Sequence, residues 1–127
     1  MQLIALFSFA IEAMHAAASP IDFCDLVKEP KAFDGRHVTF TARLESDGIH
    51  AIVLEDPRCA GAVTVDVSHA GDAFARLQDK LFEGQPGTLD KVVQARWGGV
   101  IERTKGHARL IVESIDQITS TARDGSN

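Results

Sequence analysis

Alternation is the clearest signal in this chain. From His37 to Glu45, Val38, Phe40, Ala42 and Leu44 lie on one side of an extended backbone, with Thr39, Thr41, Arg43 and Glu45 on the other. That period of two predicts a strand with one buried face. Ser46-Asp47-Gly48 is a hairpin signal, and Ile49 to Glu55 reads as the return strand. In that strand Ala51 and Val53 are assigned to the interior and Ile52 and Leu54 to the outside. Two outward aliphatics call for a cover, which Phe23, Leu26 or Val27 would supply. Asp56-Pro57 breaks the strand, and Cys59-Ala60-Gly61 leads into a third, where Val63, Val65 and Val67 share a face.

The period then becomes helical. Ala73, Phe74, Leu77 and Leu81 recur at helix spacing, and Gly84 stops the helix. A fourth strand is predicted over Leu89 to Arg103, with Val93, Ala95 and Trp97 on one face and a bulge or bend at Gly98-Gly99. Lys105-Gly106 turns the chain, and a fifth strand follows over Ala108 to Ile118. Ahead of all this, Ser19-Pro20-Ile21-Asp22 reads as a helix start: Ser19 caps, Pro20 takes the first helical position, and Asp22 stands as the capping-box acid. Pro30 ends that helix near Lys28, and Lys31 to Gly35 forms a second short turn.

The order is helix, three strands, helix, two strands. A three-strand meander, an intervening helix and a closing hairpin predict a mainly β, five-stranded OB-fold-like barrel. A glycine-bent strand suits closure of a small barrel. No internal repeat or linker interrupts it, so one domain is expected over residues 19–120, with a flexible polar tail over 121–127.

Composition narrows the function classes. The 127 residues suit one domain, and the formal net charge of -5 comes with Lys and Arg scattered singly. A phosphate-driven nucleic-acid binder would be basic or carry a basic patch. No segment reaches the roughly 20 apolar residues needed to span a bilayer. Leu3 to Ile11 is an apolar run of signal-peptide length, and Ala16-Ala17-Ala18 offers a small-residue cleavage site before Ser19. Residues 1–18 are therefore expected to be a signal peptide, placing the mature protein in the periplasm or outside the cell. No Lys or Arg precedes the apolar run, a departure from the usual pattern.

The stretches "CDLVKEPKAFDGRHVTFTARL", "VLEDPRCAG" and "VVQARWGGV" resemble a group of small exported bacterial OB-fold-like proteins with two cysteines, most without an assigned activity. The shared pattern is Cys-Asp-Leu, a proline, an aromatic with Asp-Gly, an alternating strand, and a second cysteine after Asp-Pro. The resemblance covers residues 22–118 and implies an OB-like barrel in the cell envelope.

Cys24 and Cys59 are the two cysteines of the chain. A redox-active pair would want Cys-x-x-Cys. A zinc site would want about four ligands in close pairs, whereas His37, His50, His69 and His107 are dispersed. An even count, an export signal and a small domain favour a structural disulfide, which would pin the N-terminal helix beside the second strand.

Little else in the chain carries chemistry. OB-folds bind on the face of their second and third strands, where nucleic-acid binders carry aromatics. Those strands here carry no aromatic residue; they offer His50, Ile52, Leu54 and Asp66. Trp97, beside the glycine pair, is either a ligand platform or a core residue. No triad, phosphate loop or metalloprotease motif occurs, and nothing implies a metal or cofactor. The expected function is a non-enzymatic envelope binding module. Its partner would be a protein, peptide or small molecule. A nucleic-acid or nucleotide-binding OB domain is the alternative.

Overall fold

The computed structural model of the protein describes residues 18–45, 52–81 and 91–122. Nearly all of the expected leader lies outside these residues. So do the Ser46-Asp47-Gly48 turn, His50, Ala51, the Gly84 stop and positions 123–127 of the expected tail.

Six strands and two helices occur among the described residues. They are β1 (Ser19–Pro20), α1 (Phe23–Lys28), β2 (His37–Glu45), β3 (Val53–Glu55), β4 (Val63–Asp66), α2 (Asp72–Leu81), β5 (Lys91–Thr104) and β6 (His107–Ala122), with a 3₁₀ turn at Pro30–Phe33. The sheet runs β1-β2-β3-β4-β6-β5, and β5 pairs back onto β2. Five strands thus close on themselves. β2, β3 and β4 form an antiparallel meander, β4 meets β6 in parallel, and β5 joins both β6 and β2 antiparallel. A meander whose third strand meets the fifth, closed by the fourth against the first, is the connectivity of an OB-fold barrel.

The alternation of β2 builds the interior as expected. Val38, Phe40, Ala42 and Leu44 are all buried, and so are Val93, Ala95 and Trp97 across the seam on β5. Among the described residues every buried side chain is apolar. The indole of Trp97, wholly buried, donates to the Ala42 carbonyl at 3.2 Å. A buried indole N–H needs such a partner.

In β3 the facing is the reverse of the sequence expectation. Leu54 sits between Leu44 on β2 and Val63 on β4, and all three are buried. Directly opposed residues share a face of the sheet, so Leu54 points into the barrel and Val53 and Glu55 point out. Four interior positions of β2 fix this parity through pairing, which outweighs the pattern of one short strand. No outward Leu54 therefore exists for α1 to cover. Instead, Phe23 and Leu26 of α1 are buried in the same core cluster as Phe40 and Leu54. Phe23 meets the Phe40 ring at 5.4 Å between centroids, tilted by 57°.

The start of α1 also differs from expectation. Ser19 and Pro20 run parallel to β2 opposite Val38 and Thr39, at a stretch of edge that β3, paired only to Arg43–Glu45, does not reach. Proline lacks a ladder donor and is tolerated at such an edge. Asp22 then takes the cap. Its backbone is extended and its carboxylate accepts from the Cys24 amide. The short strand lends its edge to the chain, which leaves the helix only Phe23–Lys28.

The long hairpin β5–β6 turns at Lys105-Gly106, both with positive φ, between the paired residues Thr104 and His107. This matches a type I′ turn, whose twist suits the flanking strands. The bend expected at Gly98-Gly99 is a bulge carried by β6: Gly98 faces Ser114, Gly99 faces Val112, and Glu113 is left over. A Cβ on Gly99 would overlap the Ile111 carbonyl, so only glycine admits this approach. A second bulge lies at Gln117, with φ of 52°. β6 runs on to Ala122, with Ser120 and Thr121 opposite Val93 and Val92, so positions 121 and 122 belong to a strand and not to the tail. Three threonine or serine residues in a row, Thr119 to Thr121, read as loop by polarity; threonine is nonetheless a good strand former once a partner strand is present.

Candidate functional site

β2 and β5 supply a floor, and the β3–β4 loop supplies a wall. Thr41, Ala42 and Arg43 on β2 and Gln94 on β5 lie under Glu55, Asp56, Pro57 and Arg58, enclosing a surface groove of about 320 Å³. The floor follows from alternation: Thr41, Arg43 and Gln94 occupy the outward positions between the buried ones. The wall follows from Pro57, which cannot donate to a ladder and ends β3 after Glu55. The chain must therefore leave the sheet there, and it turns through a bond from the Cys59 amide to the Asp56 carbonyl.

Arg58 organises the wall. Its Nε reaches both Asp56 oxygens at 3.0 and 3.1 Å, and its Nη2 reaches Asp56 Oδ2 at 2.7 Å. The other edge of the guanidinium spans to Asp22, with Nη2–Oδ1 at 3.0 Å and Nη1–Oδ2 at 3.3 Å. The hydrogen bonds from Arg58 are the main reason both carboxyls are held below the usual 3.8, helped by the amides of Cys24 at Asp22 and of Arg58 at Asp56. The two acids in turn hold the Arg58 guanidinium charged. At the groove floor, Arg43 faces Glu55, its cross-strand partner, at 3.9 Å. Each arginine of the groove thus stands against a carboxylate, and the surface is close to charge-balanced.

One residue on from this network, Cys59 is joined to Cys24 by a disulfide, with the Cα atoms 5.8 Å apart, within the ordinary span. The bridge ties the wall to α1. So does Arg58, whose acceptor Asp22 is the cap of α1. Farther along the loop, a Cβ at Gly61 would press on Val27 of α1, so helix and loop pack closely there too. Covalent bond, ion pair and packing all join the same two segments.

The residues singled out by sequence do not assemble around this groove. Trp97 and Leu54 are interior, and Ile52 packs partly against the core. His50 lies outside the described residues. Asp66 belongs to a separate cluster on β4, where it accepts from the Ser68 hydroxyl at 2.6 Å, the Ser68 amide at 2.9 Å and Arg109 Nη2 at 2.8 Å. Those bonds, the hydroxyl first, hold its carboxyl below the usual range. Thr41, Arg43, Arg58 and Gln94 were not singled out by sequence, and Asp56 stood out only as part of the Asp56-Pro57 strand break. A signal for Arg58 existed. Once Cys24 and Cys59 are paired, Asp22 and Arg58, two and one residues ahead of them, must be neighbours with opposite charge. Thr41 and Gln94 gave none, because their meeting depends on the β2–β5 seam.

The strand order makes this chain an OB-fold-like barrel, closed and mainly β. Among solved structures it is similar to the hypothetical protein ygiW from E. coli, with 17% identity over 84% of this chain and 91% of that chain and a TM-score of 0.38. It is also similar to a chain of the S. pombe Stn1-ten1 complex, with 15% identity over 87% of this chain and 81% of that chain and a TM-score of 0.43. No protein-family model matches the chain, and no curated protein matches it in sequence.

Proposed function

We propose that this protein is a non-enzymatic binding module of the cell envelope, periplasmic or secreted, which uses the groove under the β3–β4 loop to hold a protein segment, peptide or small molecule. The observation that carries the reading is the Cys24–Cys59 disulfide standing at the end of the groove wall. Such bonds persist in oxidising compartments and are rare in the cytosol. The apolar run and small-residue site of the first 18 residues support export.

The charge pattern favours this reading over binding to nucleic acid. A strand of DNA or RNA needs cationic side chains turned to its phosphates and aromatic faces for its bases. The arginines of the groove instead face carboxylates, and the outward residues of β3 and β4 include Glu55, Thr64 and Asp66. A neutral or zwitterionic ligand suits a charge-balanced groove better than a polyanion.

The test is the intact mass of the protein purified from its native source, alkylated with and without prior reduction. The expected mass begins at Ser19, with both cysteines blocked only after reduction. A full-length mass with two alkylated thiols before reduction would overturn the envelope reading. Titration with single-stranded DNA at low and high salt tests the alternative. Affinity that falls steeply with salt would favour the nucleic-acid reading.

A further inference from the structure

We propose that the Cys24–Cys59 bridge is a redox control point for the groove: a dithiol that reduces it frees the wall, Asp56 to Gly61, while the barrel stays folded. The proposal gives the bond a role beyond stabilising the fold. Its functional meaning rests on the groove being the binding surface proposed above, but the release itself can be read without any ligand.

Three observations carry it. The bridge joins two segments that lie outside the closed ladder, α1 and the β3–β4 loop, so cutting it breaks no strand pairing. The wall leads straight into one end of the bridge, because Asp56, Pro57 and Arg58 line the groove and Cys59 follows. Neither cysteine is fully buried, and thiol–disulfide exchange depends on such access. α1 itself stays docked after reduction, held by the buried Phe23 and Leu26. What the wall then keeps is the contact of Gly61 with Val27 at its far end and its ion pair to α1, Arg58–Asp22, whose side chains are 61% and 42% exposed. Exposed pairs hold little.

The chemistry balances as ordinary thiol–disulfide exchange. One thiolate of the dithiol attacks Sγ of Cys24, forming a mixed disulfide and releasing Cys59 as a thiolate. The second thiol of the reductant displaces Cys24 and closes its own disulfide. Two electrons pass to the protein, the dithiol is oxidised, and its two protons end on the two cysteines.

The experiment compares backbone amide spectra and amide exchange of the full chain before and after dithiothreitol. After reduction, the amides of Arg58 and Cys59, bonded to Asp56 when the bridge is closed, are expected to exchange at least ~10-fold faster by local opening. The β5 and β6 amides should keep their native shifts. Two results would overturn the proposal: wall amides unchanged on reduction, or loss of the native β5–β6 shifts together with the wall. An Arg58→Ala variant with the bridge intact separates the two ties. Its wall should behave like the oxidised protein, and a wall as open as the reduced form would mean that the ion pair, not the bridge, holds it. None of these readings depends on compartment, so a cytosolic mass would sink the envelope reading and leave this one standing.

Discussion

From Lys91 to Ala122 the chain folds back on itself around Lys105-Gly106 and pairs along almost its whole length. From Asp22 to Gly61 a helix of six residues, a strand of three and a looping wall are brought together across long stretches of sequence. The hairpin is held by a ladder of backbone bonds and by Trp97, Ile101, Leu110 and Val112 pointing inward. The helix–loop corner has no such ladder. A helix of that length is marginal in water, and a strand of three residues offers few bonds. This corner is held by a disulfide, a two-sided arginine and two buried side chains. Where local structure is too short to hold itself, cross-links do the work, and those cross-links can be switched.

Truncation of the hairpin core should do the most damage. Trp97→Ala is expected to cost about 3–5 kcal/mol, the usual range for a buried large aromatic, read as a lowered urea midpoint. A loss under about 1 kcal/mol would mean that the indole is not a core element. At the other corner, reduction of the bridge, or Cys24→Ser with Cys59→Ser, should lower stability by about 3–4 kcal/mol on the chain-entropy model for a separation of 35 residues. Equal midpoints for the oxidised and reduced protein would show that the corner holds without it. Leu26→Ala probes the packing half of the same corner. With Leu26 wholly buried, a cost of about 2–5 kcal/mol is expected, and the variant should also speed amide exchange in α1 more than in β6.

Acid should weaken the ion pairs of the corner. Asp22 and Asp56 are both held below 3.8 in the folded protein, chiefly by Arg58. A depressed carboxyl adds stability that is present above its unfolded value and lost as pH falls through its folded one. The Arg58 pairs should therefore add their stability at pH 5 and lose it as the pH falls below about 3.8, where the unfolded carboxyls are half-protonated, while the closed bridge keeps the wall in place. Asp56→Asn should flatten that part of the stability–pH curve. A curve identical to that of the parent protein would break the link to Arg58. The smallest effect is expected on the hairpin surface. Arg96 meets Asp116 at 2.9 and 3.0 Å across β5 and β6, but both side chains are about half exposed. Arg96→Ala should leave the urea midpoint within experimental error, since solvent and salt screen such a pair.

The same contrast explains what the sequence could reveal. The β2 pattern, the buried face of β5 and the helical period of α2 are each written into neighbouring residues, so strand order and barrel type were legible. The two cysteines, read with compartment and domain size, pointed to a bond between α1 and the loop. The facing of Leu54 was not legible, because a strand of three residues takes its parity from Leu44 and Val63. Ser19-Pro20 looked like a helix cap because its partner, the open edge of β2, is a product of the fold. The groove depends on Thr41 and Gln94 meeting across a seam, and no local pattern records that. Asp22 and Arg58 were the exception, since a disulfide converts distant positions into neighbours.

The two bulges of β6 have a consequence for life in a crowded solution. Past Ile111, among the described residues, β6 has a strand partner only on its β5 side. A long unpartnered strand edge is a template on which a second chain can add, and repeated addition ends in aggregates. Here the edge is kinked at Glu113 and again at Gln117, leaving only Ser114, Ile115 and Asp116 in register between them. Between the two kinks a foreign strand would find a run of only three residues, with a carboxylate in it. The irregularities that let β6 curl around the barrel thereby also interrupt the edge on which a second chain could add.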